Sequence, residues 1–157
     1  MADSPNCRLA EHADQEIVRE ISAAAYIPAY QAVIGAVPKP AFEDYAERIE
    51  ADLVWLAEIT HQPVGVLVLA FPKHHAEIYS VAVLPEFQGR GVAAGLIELA
   101  CEQSRLGGYA SISLYTNTKM QANRRLYARC GFEETGTRPH PSHDGEFLVD
   151  MVRLLST

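Results

Sequence analysis

The sequence predicts an α/β (α+β) fold: one mixed, mostly antiparallel sheet of about six or seven strands, flanked by about four helices. Three observations predict it. Strand-like apolar runs follow one another through the middle of the chain with short breaks between them. Strand and helix patterns then alternate toward the C-terminus, which calls for helices on both faces of one sheet. The 157 residues, 48% hydrophobic and 21% charged, are of the length and composition of one globular domain, read as 1–157.

Each element has its own justification. Cys7 to Glu11 reads as a short first strand. Asp14 is a helix N-cap residue type, and after it Ile17, Val18, Ile21, Ala24 and Ala25 recur at helical spacing. Pro40 suits the first turn of a second helix with Phe42, Tyr45 and Ile49 as its apolar stripe. Leu53 to Ile59 and Val64 to Phe71 are strand-like, and Thr60-His61-Gln62-Pro63 between them reads as a hairpin turn. Ala76 to Leu84 is a third such run, stopped by Pro85. Val92 to Leu106 is a helix with Leu96, Ile97, Ala100 and Cys101 on one face, ended by Gly107-Gly108. Ser111 to Thr116 is a strand, Met120 to Cys130 a helix closed by Gly131, and Phe147 to Leu155 a final strand. The order is β-α-α-β-β-β-α-β-α-β.

Composition excludes several classes of function. The net charge is −7, so the chain repels phosphate backbones, and nucleic acid is not an expected partner. A cationic small molecule or peptide is attracted. No apolar run approaches the ~18 residues that a membrane span requires. Cys7, Cys101 and Cys130 are odd in number, widely spaced and without a CxxC pair, which argues against a disulfide framework or a zinc knuckle. Met1 to Asp14 has neither a basic stretch nor an apolar core, so it does not read as a signal peptide. A reducing, cytoplasmic location is expected. His140-x-x-His143-Asp144 has two metal-ligand types three apart but no third fixed ligand. It is expected to be a mobile hairpin loop between the last strands, with no metal.

The stretch that carries chemistry runs from Val81 to Ala94. A strand passes through Gln88-Gly89-Arg90-Gly91 into the helix that opens Val92-Ala93-Ala94. Glycines let a ligand approach the backbone, and the first N–H groups of a helix lack internal partners, so the turn is an anion site suited to a pyrophosphate. A P-loop would need Gly-Lys-Ser or Gly-Lys-Thr, which the turn lacks. Gly89-x-Gly91-x-x-Ala94 satisfies the dinucleotide fingerprint, but the next strand ends Leu114-Tyr115-Thr116-Asn117 without the acid that holds a ribose.

The third reading is Gln88-x-x-Gly91-x-Ala93, and here the sequence resembles the GCN5-related N-acetyltransferases, whose acetyl-CoA loop reads Q/R-x-x-G-x-G/A. Val81-Ala82-Val83-x-Pro85 is similar to that family's central strand. Asn123 to Phe132, containing Leu126-Tyr127-x-x-x-Gly131-Phe132, is similar to its later helix. Leu114-Tyr115-Thr116-x-x-x-Met120-x-x-Asn123 resembles one branch of it. The likeness is specific from about Ala76 to Leu155 and rests on element order before that.

The resemblance implies a GNAT-like fold and transfer of an acetyl group from acetyl-CoA, as co-substrate, to a primary amine in a ternary complex. The acceptor is then a small-molecule or peptide amine; dimers are common in the family, so a homodimer is the assembly it suggests. The central strand splays from its neighbour, and backbone groups of Val81 and Val83 bond the pantetheine and thioester. Gln88, Gly89, Arg90, Gly91, Val92, Ala93 and Ala94 hold the pyrophosphate. Tyr127 protonates the departing thiolate, a phenol near 10 serving a thiol near 8.5. Asn123, four residues earlier, shares its helix face. Where many relatives carry Asn, this chain has Met120, so Asn117 or Asn123 takes that contact. Arg124, Arg125 and Arg129 are candidates for the ribose 3′-phosphate. An ammonium acceptor must lose a proton, at a cost of roughly 4.6 kcal/mol at pH 7. Glu77, sharing strand parity with Tyr79 and Val81, is the candidate base, with His74 and His75 just before it. Tyr26 and Tyr30 are candidates to line the acceptor cleft. The alternative is a non-catalytic acyl-CoA-binding sensor or partner domain of the same fold.

Overall fold

Alternating and continuously apolar runs pair into a seven-stranded sheet in a computed structural model that describes residues 5–156. Residues 1–4, part of the Met1 to Asp14 stretch considered above, and Thr157 lie outside the described residues. The strands are β1 (Asn6–Leu9), β2 (Val54–Ile59), β3 (Gln62–Ala70), β4 (Ala76–Val83), β5 (Ser111–Asn117), β6 (Glu133–Pro139) and β7 (Phe147–Leu154). The helices are α1 (Gln15–Ile34), α2 (Ala46–Glu50), α3 (Val92–Leu106) and α4 (Gln121–Arg129). The sheet order is β1-β2-β3-β4-β5-β7-β6. Every neighbouring pair is antiparallel except β4–β5.

Continuous burial from Val64 to Leu69 explains why β3 is central: both its faces are covered, so its sequence is a run rather than an alternation. One face packs Leu67 and Leu69 against Leu96, Ile97 and Ala100 of α3. The other packs Val66 and Val68 against Val18 and Ile21 of α1 and Ile49 of α2. Among the described residues no helix is long and apolar enough to cross a membrane.

Several elements differ from expectation. Asp14 stands at the N-cap of α1, but its carboxylate accepts from Arg8 (2.8 and 3.1 Å) and the Glu11 N–H (2.7 Å). The β2–β3 turn is only Thr60 and His61, both at positive φ (51° and 65°), the left-handed pair of a two-residue hairpin. Pro63 is thereby placed inside β3, opposite Glu58 at a bulge, where a missing N–H is tolerated. Pro40 starts a three-residue 3₁₀ turn, Lys39–Ala41, not an α-helix. The helix begins only at Ala46, and Phe42 is 65% exposed rather than part of an inward stripe.

The seventh strand, β6, was not among the runs read from the sequence. All seven of its residues are exposed, so there is no apolar alternation to see. It is an edge strand held by its ladder to β7. The β6–β7 connection carries His140 and His143, whose rings lie 4.5 Å apart, and Ser142 N–H donates to His140 Nδ1 (3.0 Å).

Candidate active site

The site begins with a pairing that stops early. β4 and β5 share only two registers, Ala76↔Ile112 and Glu77↔Ser113, and beyond them a wedge opens. Leu84 N–H bonds the Val64 carbonyl, so hydrogen-bond alternation turns Ala82 toward β3 and Val81 and Val83 toward the wedge. Their carbonyls are taken by side chains. Tyr26 Oη donates to Val81 O (3.1 Å) while accepting from Ser80 Oγ (3.1 Å), and Gln88 Nε2 donates to Val83 O (3.1 Å). The N–H groups of Val81 and Val83 have no β5 strand to bond.

The loop after β4 supplies a second set of free donors. Gly89 and Gly91 adopt φ of 78° and 83°, the left-handed region, and Gly91 is the N-cap of α3. The first N–H that closes a helical bond is that of Gly95, onto Gly91 O (3.0 Å). Among the described residues the N–H groups of 89–94 make no hydrogen bond. A Cβ placed on Gly89 or Gly91 would meet nothing within 4 Å, so the loop faces open space. The helix dipole adds positive potential at that spot. Gln88 itself points back to the strand, and the Arg90 guanidinium lies 5.0 Å from the Phe87 ring.

Tyr127 enters the same cavity from α4. A cavity of about 1860 Å³ is lined by Val81, Val83, Gln88, Gly89, Gly91, Ala93, Ala94, Asn117, Asn123 and Tyr127, so most of the candidate cofactor residues meet at one place. Arg90 and Val92 belong to the loop but do not line the cavity. Tyr127 is only 9% exposed and packs edge-on against Phe132, with ring centroids 6.1 Å apart. Its hydroxyl makes no hydrogen bond among the described residues. Burial first, then the neighbouring Tyr30 and Cys130, push the phenol well above its ordinary value. Tyr30 Oη meets Thr116 Oγ1 at 3.4 Å; burial raises its phenol too, and hydrogen bonding to Thr116 and Asn123 restrains the rise. Asn117 is buried and committed: Oδ1 accepts from Lys119 N–H (2.9 Å) and Nδ2 donates to Glu146 (3.3 Å).

The profile of the acetyltransferase (GNAT) family matches residues 16–132. The chain belongs to this family. Among curated proteins it is similar to the uncharacterized N-acetyltransferase MJ1207 of Methanocaldococcus jannaschii, 28% identical over 92 residues, 54% of this chain and 41% of that protein. The match thus spans about two-fifths of the relative's length. Among solved structures it is similar to the paiA N-acetyltransferase of Thermoplasma acidophilum in complex with coenzyme A (TM-score 0.79, 16% identity, 96% of this chain and 99% of that one). It is also similar to yncA, a putative acetyltransferase of Salmonella typhimurium with its cofactor acetyl-CoA (TM-score 0.77, 20% identity, 98% and 95%). These likenesses show the fold.

In this GNAT chain the remaining candidates are scattered. Glu77 is not on the cavity wall. Burial raises its carboxyl, while Arg138 and Arg48 pull it down and Asp150 raises it. Its parity with Val81 is broken. Tyr79 is an unpaired bulge residue between the registers Ile78↔Leu69 and Ser80↔Val68. Tyr79 therefore packs on the α1 side, whereas Val81 packs with Ile78 on the α3 side. His74 and His75 also lie off the wall. Arg124 is tied to Glu134 (2.8 Å) and the Thr118 carbonyl (2.8 Å); Arg129 lines the cavity and Arg125 does not.

Sequence reasoning missed the Glu43 cluster. Tyr79 Oη donates to Glu43 (2.6 Å), Arg48 Nε donates to the same carboxylate (2.6 Å), and the Arg48 guanidinium lies 3.8 Å from the Tyr79 ring centroid. Nothing in residue spacing signals it, since it joins a loop to a bulge 36 positions away. Tyr26 and Tyr30, by contrast, do line the cavity.

Proposed function

We propose that the chain is an acetyl-CoA-dependent N-acetyltransferase that moves the acetyl group to a primary amine by direct transfer in a ternary complex. The observation that carries this reading is the wedge: free backbone donors at 81, 83, 89, 91, 93 and 94 and a phenol whose hydroxyl has no hydrogen-bond partner among the described residues meet in one cavity. Those residues fit the co-substrate on their own chemistry. A row of N–H groups at a helix N-terminus takes a pyrophosphate, and the absent Cβ atoms of Gly89 and Gly91 leave it room.

Acetyl-CoA supplies an activated acyl group. Val81 and Val83 N–H groups orient the pantetheine arm and thioester, and a donor near Val83 stabilises negative charge as it develops on the acyl oxygen. Tyr127, kept protonated by burial, gives its proton to the departing sulfur. Asn123, on the same helix face, holds the cofactor next to it. Glu77, whose carboxyl is raised by burial, receives the amine's proton through solvent. That Glu77 stands off the wall is the one observation favouring a non-catalytic acyl-CoA sensor. Incubation with acetyl-CoA and a panel of amines, with free thiol as the readout, separates the two. Amine-dependent thiol release is expected; tight acetyl-CoA binding with no release from any amine would establish the sensor.

A further inference from the structure

The outer wall of the cavity differs from the end at Tyr127. On α1, Tyr26, Tyr30 and Val33 recur at i, i+4 and i+7, so they share one face, and all three line the cavity. Phe42, Tyr79 and Tyr115 line it too. Phe42 is 65% exposed, and Val33 and Tyr115 are each 47% exposed. Large apolar groups left in solvent around one cavity form a patch that a ligand covers.

The charge on the wall is nearly balanced, since Lys39 is paired with Glu43 (3.8 Å) and Arg138 with Asp150 (3.0 Å). Its cations are Lys39, Arg129 and Arg138; its carboxylates are Asp144 and Glu146. Glu146 is already bonded by Lys119 (2.7 Å) and Asn117 (3.3 Å). Burial and the neighbouring His143 push His140 down, so it tends to be neutral. Most of the net −7 therefore lies off the wall, and among the described residues Asp144 is the one wall carboxylate without an ion pair, a single charge where a polyamine needs several.

Arg138 is the distinctive cation. Its Nε and Nη2 are engaged by Asp150 (3.0 and 3.1 Å), and the guanidinium lies 5.0 Å from the Tyr115 ring centroid. A guanidinium has five N–H donors. Asp150 fixes the fork through two of its nitrogens, and among the described residues Nη1 has no partner. A second carboxylate can be held there, beside the aromatic wall.

We infer that the acceptor is a free α-amino acid with an apolar or aromatic side chain. Its side chain covers Val33, Phe42 and Tyr115, its carboxylate meets Arg138 Nη1, and its amine is presented toward Tyr127. The inference rests on the N-acetyltransferase reading. The amine nitrogen bonds the acetyl carbon, the thioester C–S bond breaks, the sulfur takes a proton from Tyr127, the amine proton passes through solvent to Glu77, and Tyr127 is reprotonated from solvent.

The test compares L-phenylalanine, phenethylamine, a phenylalanyl dipeptide amide and spermidine as acceptors, with calorimetric titration of L-phenylalanine into the coenzyme A-loaded protein alongside. L-Phenylalanine should exceed spermidine in kcat/KM by about a hundredfold. It should exceed phenethylamine, which lacks the carboxylate, by about tenfold to a hundredfold, the worth of a hydrogen bond to a charged group. Arg138→Gln should bring L-phenylalanine and phenethylamine within about threefold of each other. Spermidine or the dipeptide amide outrunning L-phenylalanine would overturn the inference, as would a Phe-to-phenethylamine ratio that Arg138→Gln leaves unchanged. Binding of L-phenylalanine that Arg138→Gln weakens, without thiol release from any amine, would support the amino-acid site and overturn the transferase reading instead.

Discussion

Replacing Tyr127 with phenylalanine removes one oxygen from the place where the proposed chemistry happens. The ring stays, and with it the edge-on contact to Phe132 at 6.1 Å. The hydroxyl has no protein partner among the described residues, so no donor or acceptor is orphaned by its loss. The hydroxyl opens on the cavity and is not a sealed, unpaired polar atom, so its removal carries little stability either way. Tyr127→Phe should therefore melt within about 2–4 °C of wild type, the equivalent of about 1 kcal/mol for a chain of this size. Its kcat should nevertheless fall by about 10²- to 10⁴-fold, the usual contribution of a general acid. The KM for acetyl-CoA should change little, because the donor acts on the leaving sulfur. The assay is single-turnover thiol release, with calorimetric melting of both proteins. The pH profile adds an independent check. The folded phenol titrates above its ordinary value, so the acid form persists up to about pH 10 and wild-type kcat shows no loss from this group below that. The sign for stability follows: above about pH 10 the unfolded chain ionises Tyr127 and the folded one does not, so this group makes stability fall as pH rises. A folded Tyr127→Phe protein with wild-type kcat under chemistry-limited conditions would refute the reasoning; so would a Tm lower by many degrees, which would make the hydroxyl structural.

Other perturbations address the remaining parts of the site. Gly91→Glu places a carboxylate in the open space before α3 and should weaken acetyl-CoA binding by at least about tenfold. Because φ there is 83°, it should also lower stability by about 1–2 kcal/mol, and native affinity in a folded variant would exclude the loop from the cofactor site. Gly65→Ala would bring a Cβ to 3.1 Å from Leu96 Cδ1 and Val92 Cγ1 under α3, and should destabilise by about 1–3 kcal/mol in denaturant unfolding. With Glu77 as base, kcat/KM rises with pH through its raised carboxyl pKa as the carboxylate forms. Glu77→Gln should remove that limb and lower kcat by about 10²-fold or more; an unchanged profile would assign the limb to another group.

The parts of this fold that were legible in the sequence are those that bury one face. The α3 helix was readable to its ends because Leu96, Ile97, Ala100 and Cys101 repeat at helical spacing between a glycine turn and Gly107. The glycine loop before α3 was readable because glycine identity and helix opening are local properties. β6 was not, since a strand exposed at every position carries no period and its existence depends on the partner β7. Phe42 misled because an exposed aromatic that lines a cleft is indistinguishable by spacing from one that enters a core. The Glu43–Tyr79–Arg48 cluster has no sequence signature at all, because it is made by a fold-level approach of two segments.

The β4 bulge shows why the donor and acceptor halves of the site are physically linked. One extra residue, Tyr79, puts Tyr79 and Ser80 on the α1 side and returns Val81 to the α3 side. Ser80 can then bond Tyr26, and the same Tyr26 hydroxyl takes the Val81 carbonyl in the wedge. With that carbonyl satisfied by a side chain, β5 is not needed as a pairing strand, and the wedge stays open without leaving a buried acceptor unpaired. Tyr26 stands one helical turn from Tyr30, with ring centroids 5.7 Å apart, and Tyr30 reaches Thr116 on the far side of the wedge. Two residues of the proposed acceptor wall, Tyr26 and Tyr30, are thus the ones that bridge the two sides of the wedge. A change in acceptor specificity made at Tyr26 or Tyr30 is therefore also a change in how the cofactor is held, whereas one made at Val33, Phe42 or Arg138 is not coupled through that chain of contacts.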